Sequence, residues 1–186
     1  MSTTAESTAA ASATSLRNLY FVRFGFAIVW VAGMFAVGKE LGPVTIALLV
    51  LYPLFDVAAA VVDFRSAKTA RPTVGLYFNM ALSLLTAIGL GVAVTSGIPA
   101  VLRVWGVWAI TAGIVQLIVA IGRYKLGGQW AMILSGGLST VAGASFILMA
   151  GGPNAMLGSV AGYAGVGGIF FLVSALRLGR AAKKGN

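Results

Sequence analysis

The sequence predicts an all-α polytopic membrane protein with six transmembrane helices, arranged as three tandem two-helix hairpins. Three observations predict this class. First, 59% of the 186 residues are hydrophobic and only 9% are charged, where soluble domains carry about 25% charged residues. A soluble fold of this length would lack a polar skin. Second, six apolar runs are each long enough to cross a hydrocarbon core, which takes about 20 helical residues. Third, the polar breaks between them alternate between basic segments and short, nearly uncharged ones. The runs lack the period-2 alternation of a transmembrane barrel strand.

Taken in order, residues 1–16 are rich in Ser, Thr and Ala with one acid, Glu6. The segment has no aromatic residue and little to bury, so it is expected to be a disordered tail. It lacks the basic start and separate apolar core of a cleaved signal peptide. The transmembrane domain is expected over 17–178, with spans at 19–37, 43–62, 74–95, 98–122, 129–150 and 153–176. A basic tail, 179–186, follows.

Charge sets the orientation. Arg17 and Arg23 lie at the start of helix 1. Arg65, Lys68 and Arg71 separate helices 2 and 3, Arg123 and Lys125 separate helices 4 and 5, and the last four cations follow helix 6. Eleven of the thirteen Lys and Arg residues thus fall on one side, leaving Lys39 and Arg103 on the other. The positive-inside bias places the basic side, and both termini, in the cytoplasm. The same bias accounts for the net charge of +9 without nucleic acid as a partner.

An internal repeat runs through the chain. Pro43, Pro99 and Pro153 each follow a glycine-containing turn and are expected to open helices 2, 4 and 6; proline suits the first helical turn. A glycine lies ten residues before each (Gly33, Gly89, Gly143), and an arginine follows each after 22, 24 and 24 residues (Arg65, Arg123, Arg177). The units, about 17–71, 72–127 and 128–178, each hold two spans. They therefore share one orientation, as parallel repeats. A compact helical hairpin with Gly-Pro at its turn and Arg at its exit would produce similar markers.

At these residues the chain resembles a known family. The segment 130–148 (WAMILSGGLSTVAGASFIL) with the Gly-Gly-Pro turn after it, the glycine-rich sixth span ending in 173–180 (VSALRLGR), and 52–67 (YPLFDVAAAVVDFRSA) are similar to segments of the HdeD family. That family of bacterial membrane proteins is named after an acid-resistance protein and built from a short repeat of unknown function. The resemblance spans about 15–180. It implies a six-span inner-membrane protein linked to acid or envelope stress, and no catalytic residues.

Few side chains are available for chemistry. There is no cysteine and no histidine, and the acids are Glu6, Glu40, Asp56 and Asp63. This excludes thiol nucleophiles, disulfides and histidine relays within the chain. It points away from an enzyme, and no cofactor or metal site is implied. Any pH sensing falls on the four carboxylates, of which Asp56 lies deepest, about 10 Å inside helix 2 at 1.5 Å per residue. A carboxylate at that depth must be paired, hydrated or protonated. Arg23 enters from the same side and can reach it. Three readings of Asp56 stay open: an ion pair with Arg23 that fixes helices 1 and 2, a titrating group on a proton or cation path, and a hydrated group near the headgroups.

Asn79 and Gln116 are the other polar candidates, because neither amide can be satisfied by lipid. Gly136 and Gly143 on helix 5, with Gly158, Gly162 and Gly165 on helix 6, form small-residue faces. They are expected to pack helix 5 tightly on helix 6, and such faces also permit a homo-oligomer. Tyr20, Tyr124 and Trp130 fit one aromatic belt and Trp105 the other. The expected partner is the lipid bilayer, and the small-molecule or ion substrate is not identified. Three functions follow: a stress-related membrane protein, a small channel or transporter for protons or a solute, and a membrane scaffold. A transporter should bring Asn79, Gln116 and Asp56 together on a polar cavity near mid-membrane.

Overall fold

The computed structural model describes residues 2–66, 73–122, 124 and 130–184. These form α1 (Ser2–Val37), α2 (Pro43–Ser66), α3 (Thr73–Ala93) with a short 3-10 turn at Val94–Ser96, α4 (Ile98–Gly122), α5 (Trp130–Ala150) and α6 (Gly158–Lys184). All six helices contain a stretch long and apolar enough to cross a membrane, from Thr14–Val37 to Gly158–Arg180. The described residues contain no strand.

Several ends differ from the sequence expectation. Residues 2–16 continue α1 as helix, where a disordered tail was expected. The segment carries alanines and neither Gly nor Pro, so a helix already nucleated by the apolar span propagates backward at little cost. The basic tail from 179 likewise extends α6 to Lys184. Pro43 opens α2 and Pro99 lies in the first turn of α4, but Pro153 sits in a longer connection, five residues before α6 begins. Lys68, Arg71, Arg123 and Lys125, and the repeat boundaries at 71–72 and 127–128, lie outside the described residues. At the α3–α4 turn, Gly97 has φ of 88°, a backbone conformation that only glycine adopts without strain.

The helices form a closed ring in chain order, each touching its sequence neighbours, with α6 closing back on α1. The extensive interfaces are α4–α5, α1–α6 and α2–α3, and they alternate with the smaller α1–α2, α3–α4 and α5–α6 interfaces. The expected tight α5–α6 packing is therefore incorrect: α5 packs on α4, and α5–α6 is the smallest interface of the ring.

Glycine placement explains the difference. A Cβ on Gly143 would lie 2.5 Å from the Gly106 carbonyl oxygen, and one on Gly106 2.7 Å from that of Gly143. Gly113 and Gly136 face each other in the same way, at 2.6 and 2.9 Å. The two pairs are seven residues apart on each helix, so the antiparallel backbones meet twice, two turns apart. By contrast, a Cβ on Gly158 or Gly162 would meet nothing within 4 Å, and one on Gly165 only Val31 of α1 at 3.8 Å. Gly158 and Gly162 are exposed and do not mediate packing within the chain.

Of the glycines ten residues before Pro43, Pro99 and Pro153, two occupy matching places. A Cβ on Gly33 would touch Leu48 at 3.2 Å and one on Gly89 would touch Val104 at 3.4 Å, each fifteen residues later in sequence. Gly143 departs from this pattern, because it faces α4 instead of its own hairpin partner.

The half of the ring nearest the short turns is filled. Trp30, Leu49, Leu90, Leu102, Trp105 and Leu157 are buried there. Trp105 is fully buried, which corrects its expected place in an aromatic belt. It packs against Trp30, Tyr52 and Trp108 with ring centroids 5.9, 5.4 and 4.9 Å apart. Tyr124 and Trp130 are exposed at the opposite, basic end.

Candidate functional site

Toward the basic end the ring interior is open. A cavity of about 480 Å³ lies there, lined by residues from all six helices. Asp56, Asn79 and Gln116 all line it, as does Arg23.

Asp56 is the hub of the polar groups. Its Oδ1 pairs with the Arg23 guanidinium. Its Oδ2 accepts hydrogen bonds from Asn79 Nδ2 at 2.7 Å and from Ser83 Oγ at 2.8 Å. The Arg23 and Asp56 side chains are only 15% and 14% exposed, so the pair lies within the bundle, away from the rim. Each element contributes for a local reason. Arg23 sits on α1 with its guanidinium carbon 4.5 Å from the centroid of the Phe171 ring of α6, a cation–π contact. Asn79 and Ser83 are four residues apart and so share one face of α3. Asp56 thereby ties α1, α2 and α3 together, and the arrangement pairs the charge instead of leaving it open to the cavity.

Ser83 is missing from the sequence reading, and so is the role of Asn79 as a partner of Asp56. One signal was present. Arg23 and Asn79 are 56 residues apart, the spacing of Pro43 and Pro99. Two residues at that spacing therefore supply two donors to one carboxylate. The positions matching Asp56 at the repeat spacings are Ala112 and Val166, and both also line the cavity. Neither of the two is charged.

Gln116, on α4, lines the cavity outside the Asp56 network. Ser135, Ser139 and Ser174 add hydroxyls from α5 and α6. Tyr163 donates to Ser139 Oγ at 3.1 Å, one of the few ties between α5 and α6. Tyr20, Tyr52, Trp108, Phe170 and Phe171 supply an aromatic wall. The site therefore combines a paired charge, amides, hydroxyls and ring faces. That composition suits binding of a small polar or amphipathic molecule better than acid–base chemistry, because the carboxylate that lines the cavity, Asp56, is already engaged.

Gly136 and Gly143 lie outside this site, at the α4–α5 interface, and hold the wall behind it. Gly158 and Gly162 lie away from it. Gly167, which the sequence reading gave no role in the site, lines the cavity, and a Cβ there would meet nothing within 4 Å.

No family model, curated protein or solved structure matches this chain.

Proposed function

We propose that this protein is a non-enzymatic multi-pass membrane protein that binds a small polar or amphipathic molecule in the ring cavity, as the binding step of transport. The observation that carries the reading is the convergence of Arg23, Asp56, Asn79 and Gln116 on one cavity inside a six-helix ring built mainly of apolar residues. Polar groups within a bilayer are costly, and they characteristically mark substrate or ion pathways. A bare proton path fits less well, because Asp56 is engaged by three donors.

The cavity faces the cytoplasm in this reading. Arg17, Arg65, Arg177 and Arg180 support that orientation, since they gather at its end of the described helices. The resemblance to the HdeD family supports a bacterial inner membrane, with acid or envelope stress as the setting.

The test is flux. Proteoliposomes carrying labelled amino acids and small organic acids, held under a proton gradient, should lose at least one solute faster than empty vesicles do. Loss no faster than from empty vesicles for every solute would rule out translocation.

A further inference from the structure

The cavity is not walled evenly. More than half of its lining comes from α5 and α6, the two neighbours with the smallest shared interface. On α5 the lining residues Met132, Ser135, Leu138 and Ser139 recur at helical spacing on one face. On α6, Tyr163, Val166, Gly167, Phe170 and Ser174 do the same. Both faces point into the ring, yet Leu138 and Val166 are each 44% exposed. Lining residues are exposed to that degree where the two helices stand apart. The ties across the gap lie toward the α5–α6 turn: Tyr163 to Ser139, Tyr163 against Phe146 with centroids 5.7 Å apart, and Ser159 to Met149. Below them, toward the basic end, no further hydrogen bond or ring contact links α5 to α6 among the described residues.

The chemistry is graded across the cavity. Leu138, Val166 and Phe170 stand at the gap, whereas Arg23, Asp56, Asn79 and Gln116 stand on α1 to α4. A molecule arriving through the gap meets apolar side chains and serine hydroxyls first, and the ion pair and amides last. The volume, about 480 Å³, accommodates a headgroup and the start of its chain but not a whole two-chain lipid.

We infer that the ligand is a membrane amphiphile that enters sideways from the bilayer between α5 and α6. Its hydrogen-bonding headgroup sits against Asn79 and Gln116, and its acyl chain passes out between Leu138 and Val166. The inference rests on the binding reading above and adds the ligand class and the route.

The experiment places the full chain in vesicles of phosphatidylethanolamine and phosphatidylglycerol bearing a diazirine in one acyl chain. After illumination, adducts are mapped by mass spectrometry. Gly167→Phe fills the cavity at a position where a side chain has room. Gly137→Phe is the control: a Cβ there also meets nothing within 4 Å, and the residue does not line the cavity.

Adducts are expected at Met132, Leu138, Val166 and Phe170, and they should fall about tenfold in Gly167→Phe and stay unchanged in Gly137→Phe. Adducts at the outward-facing Val29 and Leu85 should not change in either variant. Equal labelling of Leu138 and Val166 in wild type and Gly167→Phe overturns the proposal, because it describes ordinary surface lipid. Capture of a second copy of the chain by a photoreactive residue at position 138 also overturns it, since a partner helix then fills the gap. Binding of a water-soluble molecule that Gly167→Phe abolishes, without lipid adducts in the cavity, overturns the lateral route and leaves the binding reading standing.

Discussion

Gly143→Ala gives a direct measure of the α4–α5 contact. The added methyl would lie 2.5 Å from the Gly106 carbonyl oxygen and 2.8 Å from both the backbone nitrogen and Cγ1 of Ile110. Two of these three atoms belong to backbone and cannot swing aside, so the helices must part by roughly 1 Å to regain ordinary contact. Overpacking of this kind costs about 1–3 kcal/mol. Separation also strips the reciprocal approach at Gly113 and Gly136, two turns away. Alanine's better helix propensity returns up to about 1 kcal/mol, leaving a net loss of about 2 kcal/mol. Gly162→Ala isolates the propensity term, because its methyl would meet nothing within 4 Å. Reversible unfolding in mixed micelles, read by tryptophan fluorescence, compares the two. Gly143→Ala is expected to be destabilised and Gly162→Ala to be neutral or slightly stabilised. Equal stability of the two variants would refute the α4–α5 assignment.

Three further outcomes are expected. Asp56→Ala should cost about 3–5 kcal/mol, because it leaves the Arg23 guanidinium unpaired within the bundle; the Arg23→Ala, Asp56→Ala double variant should cost clearly less than the sum of the singles, and additive losses in the same unfolding assay would contradict a coupled pair. Thr45 is buried and donates from Oγ1 to the Val37 carbonyl at 2.8 Å across the α1–α2 turn, so Thr45→Val should lose about 1 kcal/mol, and an unchanged unfolding midpoint would show that the turn does not depend on it. Gly167→Phe should keep the wild-type melting temperature or exceed it, and a marked drop would show that the cavity is not there to be filled.

Much of the architecture was legible in the sequence. The length and apolarity of the six runs dictate six spans, and the ends of α4 fall at 98 and 122 as read. Asp56 and Arg23 stand out because charges are scarce and the two enter from the same side. Partner choice was less legible. Small residues show that a face can approach another helix but not which helix it meets, so the sequence pattern of Gly136 and Gly143 is compatible with α6, whereas they face α4. The seven-residue spacing of Gly106 and Gly113 matches that of Gly136 and Gly143 and carried the missing information. Pro153 misled for a related reason: proline is compatible with a first helical turn and equally with a turn outside the helix. The cavity had no single-residue signature. It arises where α5 and α6 stand apart, a property of the closed ring and of no one helix.

The central claim is that the cavity beside the Arg23–Asp56 pair holds a small molecule. The most direct measurement is ligand-induced stabilisation of the full chain in lipid nanodiscs, comparing wild type with Gly167→Phe across a panel of small polar and amphipathic compounds. A true ligand at one hundred times its dissociation constant should stabilise the wild type by about 2.7 kcal/mol and leave Gly167→Phe unmoved. A panel in which every compound leaves the wild type unchanged, or shifts both proteins equally, would contradict the account.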